Sequence, residues 1–210
     1  MKGDLRVNLL LESLQPQFAA YLGTPTRARG YPPFAGQHAL IIEVAPGLMI
    51  ERVIDLALKA DPDLEPGILF VERQFGILEI HSHDKSMIER AGQAILTGLG
   101  LNADDQLKPN ILYTDVIEDI ADQHAVIINR NRQASMVLPG QTLLIVEVVP
   151  ALYVAIAANA AEKVVPELTL VDVQMIGAAG RLYMSGTTAQ VKQGLVEIEK
   201  VLASIKGRDG

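Results

Sequence analysis

Apolar and polar residues alternate near the start of the chain and then give way to longer apolar runs. Residues 5–11 carry apolar side chains at every second position, the period of a β-strand with a buried face. A short helix-like segment follows around Phe18, and the apolar run from His38 to Val44 predicts a second strand. Helix-forming residues then extend from Met49 to Ala60, and we expect that helix to end before Pro62.

The next apolar runs predict a strand pair and a second helix. Ile68 to Arg73 and Ile77 to His81 have strand length and are separated by a turn near Gly76. Ser86 is followed three residues later by Glu89, which matches the capping-box pattern at the start of a helix. The first half therefore predicts strand, short helix, strand, helix, two strands and helix. The last of these helices carries its apolar residues at helical spacing, at Ile88, Ala91, Ile95 and Leu99.

The same pattern returns 104 positions later without a gap in its central part. About a third of the matched positions are identical, which indicates an internal repeat rather than chance. The identical pairs include Glu43 and Glu147, Pro46 and Pro150, Lys59 and Lys163, Gly76 and Gly180, and Leu78 and Leu182. The chain therefore predicts two homologous units, and positions at which the copies differ are the first place to look for function.

The second copy repeats the predicted elements. Leu143 to Val148 is expected to be a strand, Ala151 to Val164 a helix, and Leu168 to Ile176 with Arg181 to Met184 a strand pair. Thr187 and Gln190 form a second capping-box pattern, so a final helix is expected to start there. The first strand of this copy lies over Ile111 to Val116, 106 positions after its counterpart.

Alternating strands and helices in each copy predict an α/β (α+β) fold. With 210 residues, the chain is long enough for two domains of ordinary size, which we assign to residues 1–104 and 105–210. Residues 102–109 are polar and include a proline, so we expect them to form the interdomain linker.

Composition narrows the possible functions. A formal net charge of −7 with no basic stripe argues against binding of nucleic acid. The absence of cysteine excludes disulfides, thiolate nucleophiles and zinc–cysteine sites. Mean hydropathy is high at +0.23, yet no apolar run reaches the roughly 18 residues of a membrane helix. The N-terminal residues carry no signal-peptide core, and we expect an intracellular oligomer that buries apolar surface between subunits, with no membrane association.

An enzyme is one competing interpretation. His81 and His83 lie two residues apart on a predicted strand, where side chains share a face and could bind a metal. The second copy has Ser185 and Thr187 at these positions, and the sequence contains no GxSxG, phosphate-binding-loop or GxGxxG motif. A polar strand end before a capped helix is the simpler interpretation, and we predict no catalytic residues, no metal and no cofactor.

Several blocks of sequence, in order and at the right spacing, resemble one protein family. They are Leu14-Gln15-Pro16-Gln17, Glu43-Val44-Ala45-Pro46-Gly47, Ala57-Leu58-Lys59-Ala60, Val71-Glu72-Arg73, Ile128-Asn129-Arg130, Ala157-Ala158-Asn159-Ala160-Ala161-Glu162-Lys163 and Gly177-Ala178-Ala179-Gly180-Arg181. From about Leu5 to Ile205 the chain is similar to the tandem-domain, circularly permuted, trimeric shell proteins of bacterial microcompartments, the CcmP-like type of carboxysomes and related compartments.

The resemblance implies two permuted shell domains per chain and a pseudohexameric homotrimer, and in this subtype two trimers can stack as a dimer of trimers. The expected partners are hexameric and pentameric shell proteins, and the expected location is a microcompartment shell in the cytoplasm. The central pore of such trimers is wide and gated, and small metabolites pass through it. A soluble oligomeric small-molecule-binding regulator, built on a similar plan with ligands between subunits, is the alternative function.

The resemblance also implies roles for particular residues. Glu72 and Arg73 border the pore in the first copy, whereas Ile176, Gly177, Ala178 and Ala179 form a neutral loop there in the second. Adjacent strand residues point to opposite faces, so one of these side chains can face the pore only if the other turns away, unless the backbone bends. We predict that Arg73 pairs with a neighbouring subunit's Glu72 in the closed state and that rotation of both side chains opens the pore. An ordinary surface ion pair is the simpler alternative.

Lysines in the two copies are expected to mark the edges of the assembly. Lys59 and Lys163 occupy equivalent positions near the ends of equivalent helices. The resemblance implies that both lie at the outer edge, where neighbouring tiles meet. The simpler alternative is a solvated lysine that interacts favourably with the helix dipole.

Overall fold

A computed structural model describes residues 3–24 and 30–210. It divides into two compact units, the first extending through Lys108 and including Lys206–Gly210, the second covering Pro109–Ile205. No helix within the described ranges is long and apolar enough to cross a bilayer. The assignment of shell domains to residues 1–104 and 105–210 stays a prediction.

In the part of the first unit that the structure describes, a four-stranded antiparallel sheet carries three α-helices. Its elements are β1 (Asp4–Leu11), α1 (Pro16–Leu22), β2 (His38–Ala45), α2 (Ile50–Ala60), β3 (Glu65–Glu72), β4 (Phe75–Ser82) and α3 (Lys85–Leu99). The strands lie in the order β1-β2-β4-β3, so β3 and β4 form a hairpin at one edge.

The second unit has the same architecture. Its elements are β5 (Asn110–Ile117), α4 (Asp122–Asn131), β6 (Thr142–Val149), α5 (Tyr153–Val164), β7 (Thr169–Gln174), β8 (Gly180–Gly186) and α6 (Thr188–Ser204). The order β5-β6-β8-β7 is that of the first sheet. The predicted element order and the predicted repeat are both confirmed.

The core of the first unit lies between the sheet and two helices. Leu40, Ile42, Leu78 and Ile80 alternate along β2 and β4 and pack against α2 and α3. Each such fully buried side chain contributes roughly 1.5–3 kcal/mol. In the second unit, a smaller apolar cluster lies between the sheet and α4, and it includes Ala125 of α4 and Leu143 of β6.

One of the two predicted capping boxes is wrong and the other is confirmed. Asp84 caps α3, because its Oδ1 accepts a 2.8 Å bond from the Ser86 amide; α3 therefore starts at Lys85, and Ser86 lies inside it. In α6, Thr187 Oγ1 accepts a bond from the Gln190 amide at 3.3 Å, and Gln190 Oε1 accepts one from the Thr187 amide at 2.8 Å.

The predicted linker is a hydrogen-bonded part of the first unit. Ala103–Asp105 form a single helical turn capped by Asn102. The Gln106 side chain is buried, accepts a 2.9 Å bond from the Asn8 amide and donates a 3.0 Å bond to the Lys206 carbonyl. The first unit thereby binds the segment that leads into the second unit and the segment that returns from it.

Candidate functional site

The first candidate pore element is the tip of the β3–β4 hairpin. Glu72 is the last residue of β3 and pairs with Phe75, so Arg73 and Gln74 form a two-residue turn. Arg73 has a positive φ of 48°, which reverses the chain direction at the first turn position. Its side chain is 91% exposed, whereas that of Glu72 is 20% exposed.

The prediction that the strand extends to Arg73 is wrong by one residue, and the backbone bends there. Arg73 has left the strand ladder because the tight turn begins there, so the strand rule of opposite faces does not apply to it. Arg73 Nε lies 3.7 Å from Glu72 Oε1 within the same chain. An exposed pair of this kind contributes about 0–1 kcal/mol, so it does not hold the arginine in one orientation.

The equivalent connection in the second unit is longer and neutral. β7 ends at Gln174 and β8 begins at Gly180, so Ile176, Gly177, Ala178 and Ala179 lie in an irregular loop. Gly177 has a φ of +136°, a conformation that L side chains rarely adopt, which explains the glycine. The two copies thus carry different structures at one point of the repeat, a charged tight turn and an uncharged loop of small residues.

A glycine holds each connection close to the neighbouring backbone. A methyl group at Gly76 would overlap the carbonyl oxygen of Gly47 just before α2, and one at Gly180 would overlap that of Ala151 before α5. The strand that leaves each connection is therefore packed against the chain that enters the following helix. This close approach explains the identical glycines at these positions in the two copies.

An acidic residue of the central strand is paired in both copies, but by arginines from different strands. Arg6 Nε of β1 donates a 2.6 Å bond to Glu43 Oε1, and Arg181 Nε of β8 donates a 2.9 Å bond to Glu147 Oε1. Burial raises the pKa of the Glu43 carboxyl, and the hydrogen bond from Arg6 opposes that rise. Sequence reasoning missed these pairs, although the identical glutamates in two apolar strands were a usable signal.

The expectation that His81 and His83 share a strand face is wrong. β4 ends at Ser82, so the buried His81 belongs to the sheet while His83 lies beyond it and is exposed. His81 Nδ1 lies 3.0 Å from Glu79 Oε1, and its Nε2 lies 3.5 Å from Glu65 Oε2. Across residues 3–24 and 30–210, no group of three or more such side chains is arranged to hold a metal ion.

The buried Glu79 carboxyl makes stability depend on pH. Burial raises its pKa, and the hydrogen bond with His81 offsets the rise only in part. A carboxyl with a raised pKa in the folded state lowers the free energy of unfolding as pH rises through that pKa. We therefore expect Glu79→Gln to be more stable relative to wild type at pH 7.5 than at pH 4, as measured by urea unfolding. Glu118→Gln, at an exposed position, is the control, and an equal stability difference at both pH values for Glu79→Gln would contradict this account.

Comparison with known proteins identifies the family of the chain. The model of the CsoS1D N-terminal domain family matches residues 5–105. The carboxysome shell protein CcmP of Synechococcus elongatus is 38% identical over 206 residues, which cover 98% of this chain and 95% of that protein. The chain belongs to the tandem-domain microcompartment shell proteins. A further member, the carboxysome shell protein CsoS1D of Prochlorococcus marinus, is 42% identical over 98% of this chain and 77% of its own length.

Solved structures of shell proteins share the whole fold. The double ringed trimeric shell protein MSM0271 from the RMM microcompartment is 60% identical, with a TM-score of 0.95 over 99% of this chain and 100% of that one. The fused permuted hexameric shell protein MSM0275 from the same microcompartment is 46% identical, with a TM-score of 0.93 over 98% and 100%. The predicted fold class and family are therefore confirmed, and the chain has a structural role in a microcompartment shell.

The two candidate edge lysines of this shell protein both lie in the last turn of a helix. Lys59 is the second-last residue of α2 and is exposed, and its Nζ lies 2.7 Å from Asp55 Oδ2. Lys163 is exposed near the end of α5. The contact with neighbouring tiles that the resemblance implies for both lysines stays a prediction.

A half-open groove of about 210 Å³ lies beside α4 in the second unit. It is lined by Ile127, Ile128, Asn131, Asp172, Gln174 and Tyr183. The Asp172 carboxylate is already engaged, because it accepts bonds from the Gln133 and Val173 amides and from Gln174 Nε2. The groove therefore combines an apolar helix face with polar groups that are partly bound to the protein itself.

Proposed function

We propose that three copies of this chain form a pseudohexameric shell tile without enzymatic activity, whose central pore is gated by Glu72 and Arg73. The observation that carries the proposal is the difference between the copies, a charged turn in one and a neutral loop in the other, within otherwise equivalent units. Around a three-fold axis, three such turns alternate with three such loops. The expected cargo is metabolites that are too large or too charged to pass through the narrower pores of hexameric shell proteins.

Exposed apolar residues support contacts between chains. Ile127 is 60% exposed and Tyr113 is 52% exposed in the second unit, whereas their counterparts Tyr21 and Val7 are buried in the first. Apolar surface of this kind marks interaction sites in soluble proteins. We infer that a neighbouring copy covers this face of the second unit in the trimer.

The gate works by rotation of side chains on a fixed turn. Gly76 and the Glu72–Phe75 pair hold the base of the hairpin, while the Arg73 side chain extends into solvent. In the closed state Arg73 pairs with a neighbouring subunit's Glu72, and in the open state it turns back to its own turn. Three exposed pairs sum to a few kcal/mol at most, so both states are populated.

We also propose that two trimers stack, because a relative with 60% identity is described as double ringed and trimeric. The expected partners in the shell are hexameric and pentameric shell proteins. Native mass spectrometry is expected to give six chains of 22.7 kDa each. A mass that corresponds to three chains would contradict the stacking of trimers. A mass that corresponds to a number of chains not divisible by three would contradict the trimer.

Cryo-electron microscopy of the purified protein tests the gated pore. Sorting of the particle images is expected to give two classes, which correspond to the closed and open arrangements of Glu72 and Arg73. Both classes are populated because the energy difference between them is small. A single class would contradict the gate.

The second candidate function is a soluble oligomeric small-molecule-binding regulator, and the groove beside α4 favours it. Mixing with a purified hexameric shell protein separates the two functions. A shell tile co-assembles into sheets that electron microscopy resolves, whereas a soluble regulator stays dispersed.

A further inference from the structure

Arg6 connects three strands of the first sheet next to the charged turn. It lies on β1, its Nε donates a 2.6 Å bond to Glu43 on β2, and its Cζ lies 3.9 Å from the ring centre of Phe75 on β4. The Arg6 side chain is 19% exposed and that of Glu43 is 1% exposed. A guanidinium at this distance from an aromatic ring is attracted to its face, and more strongly when water is excluded.

Phe75 follows the two-residue turn of Arg73 and Gln74, which is the pore turn of the proposed gate. It is the first residue of β4 and pairs directly with Glu72, with Arg73 and Gln74 between them. A contact that restrains the Phe75 ring therefore also restrains one end of the segment that presents Glu72 and Arg73. Arg6 does so from the far side of β2, since Glu43 holds its guanidinium in place.

The second copy contains the ion pair without this connection. Arg6 and Leu112 occupy the same irregularity in the pairing of the first strand with the second, so Leu112 replaces the arginine. Glu147 is instead paired by Arg181 of β8, and Ala179 stands at the position equivalent to Phe75. The contact between an arginine and an aromatic ring thus accompanies the charged turn and is missing where the equivalent connection is neutral.

We propose that Arg6 is a positioning residue for the pore turn, acting on Glu72 and Arg73 through Phe75. This inference rests on the proposed gate. Without the guanidinium, the Phe75 ring loses the contact that restrains it, and the turn presents Arg73 to the neighbouring subunit less consistently. The closed state, which needs a defined distance between subunits, is then the state that loses occupancy.

The test measures the ratio of closed to open pores among sorted particles in cryo-electron microscopy images. Arg6→Gln is expected to lower that ratio about threefold to tenfold, the range of one partly desolvated cation–π contact. Phe75→Leu is expected to lower it by a similar factor, and Arg6→Lys to recover at least half of the change on a logarithmic scale. Arg181→Gln, which removes the matching ion pair of the second unit, is expected to leave the ratio unchanged.

A second variant deals with the charge that Arg6→Gln leaves behind. Glu43 would be buried without its cation and could unfold the protein. The double variant with Arg6→Gln and Glu43→Gln removes both charges while the contact with Phe75 is still lost, so the same fall in the ratio is expected. Equal ratios for wild type, this double variant and Phe75→Leu would overturn the inference.

Two further variants separate this inference from the proposed gate. If Arg73→Ala and Glu72→Ala change the ratio while Arg6 and Phe75 variants do not, the gate stands and the role of Arg6 is wrong. If none of the four changes it, the gate itself is wrong. If Phe75→Leu leaves the ratio unchanged while the Arg6 variants lower it, Arg6 does not act through Phe75, and the inference is overturned.

Discussion

Replacement of both Glu72 and Arg73 by alanine is expected to leave the pore permanently open. The wild-type turn carries an acidic and a basic side chain 3.7 Å apart, and Arg73 is almost fully exposed at the tip. Alanine cannot reach a neighbouring subunit, so the closed arrangement loses its contacts while the turn backbone is retained. We expect closed pores to vanish and open pores to persist among sorted particles in cryo-electron microscopy images.

The control for this variant is a surface ion pair away from the pore elements. Lys192 Nζ lies 3.1 Å from Glu118 Oε1, and both side chains are well exposed. Replacement of that pair by alanine is expected to keep both closed and open pores. A structure of the variant at Glu72 and Arg73 that still shows an occluded pore would contradict the gate.

Gly180→Ala is expected to cause a large loss of stability. A methyl group there would overlap the Ala151 carbonyl oxygen and crowd the Val154 side chain, so the backbone of β8 has to move. Overpacking of this kind costs about 1–3 kcal/mol, and contact with backbone atoms leaves little room for relaxation. Urea unfolding is expected to report that loss in the free energy of unfolding.

Two further substitutions are compared with Gly180→Ala for their effect on the free energy of unfolding. Gly76→Ala, the equivalent change in the first unit, is expected to cost a similar amount because Gly47 and Ile50 are as close. Ala178→Ser, at an exposed position in the loop before Gly180, is expected to stay within about 0.5 kcal/mol of wild type. A Gly180→Ala protein as stable as Ala178→Ser would refute the close approach of the two backbones.

The repeat in the sequence was sufficient to predict the element order of both units. Strand and helix periods were strong, and each copy supported the other. The capping box at Thr187 was predicted correctly, whereas the one at Ser86 was not. Asp84 stands two residues before Ser86 and is itself a good cap, so the local sequence offered two starts and the structure uses the earlier one.

The details of the candidate site depend on pairing between strands that sequence reasoning cannot see. The place at which β3 ends is set by its register with β4, so Arg73 was assigned to the strand although it lies in the turn. Arg6 and Glu43 are 37 residues apart and meet only because β1 pairs with β2. The identity of Glu43 and Glu147 pointed to a role for these residues, but the arginines that pair with them lie at different places in the repeat.

The central claim is that the charged turn and the neutral loop line one pore, and a cryo-electron microscopy reconstruction of the purified oligomer tests it most directly. Three chains are expected around an axis, with the turn at Glu72 and Arg73 alternating with the loop of residues 176–179 at its centre. A reconstruction that places either element away from the axis, or that shows no three-fold symmetry, would contradict the account.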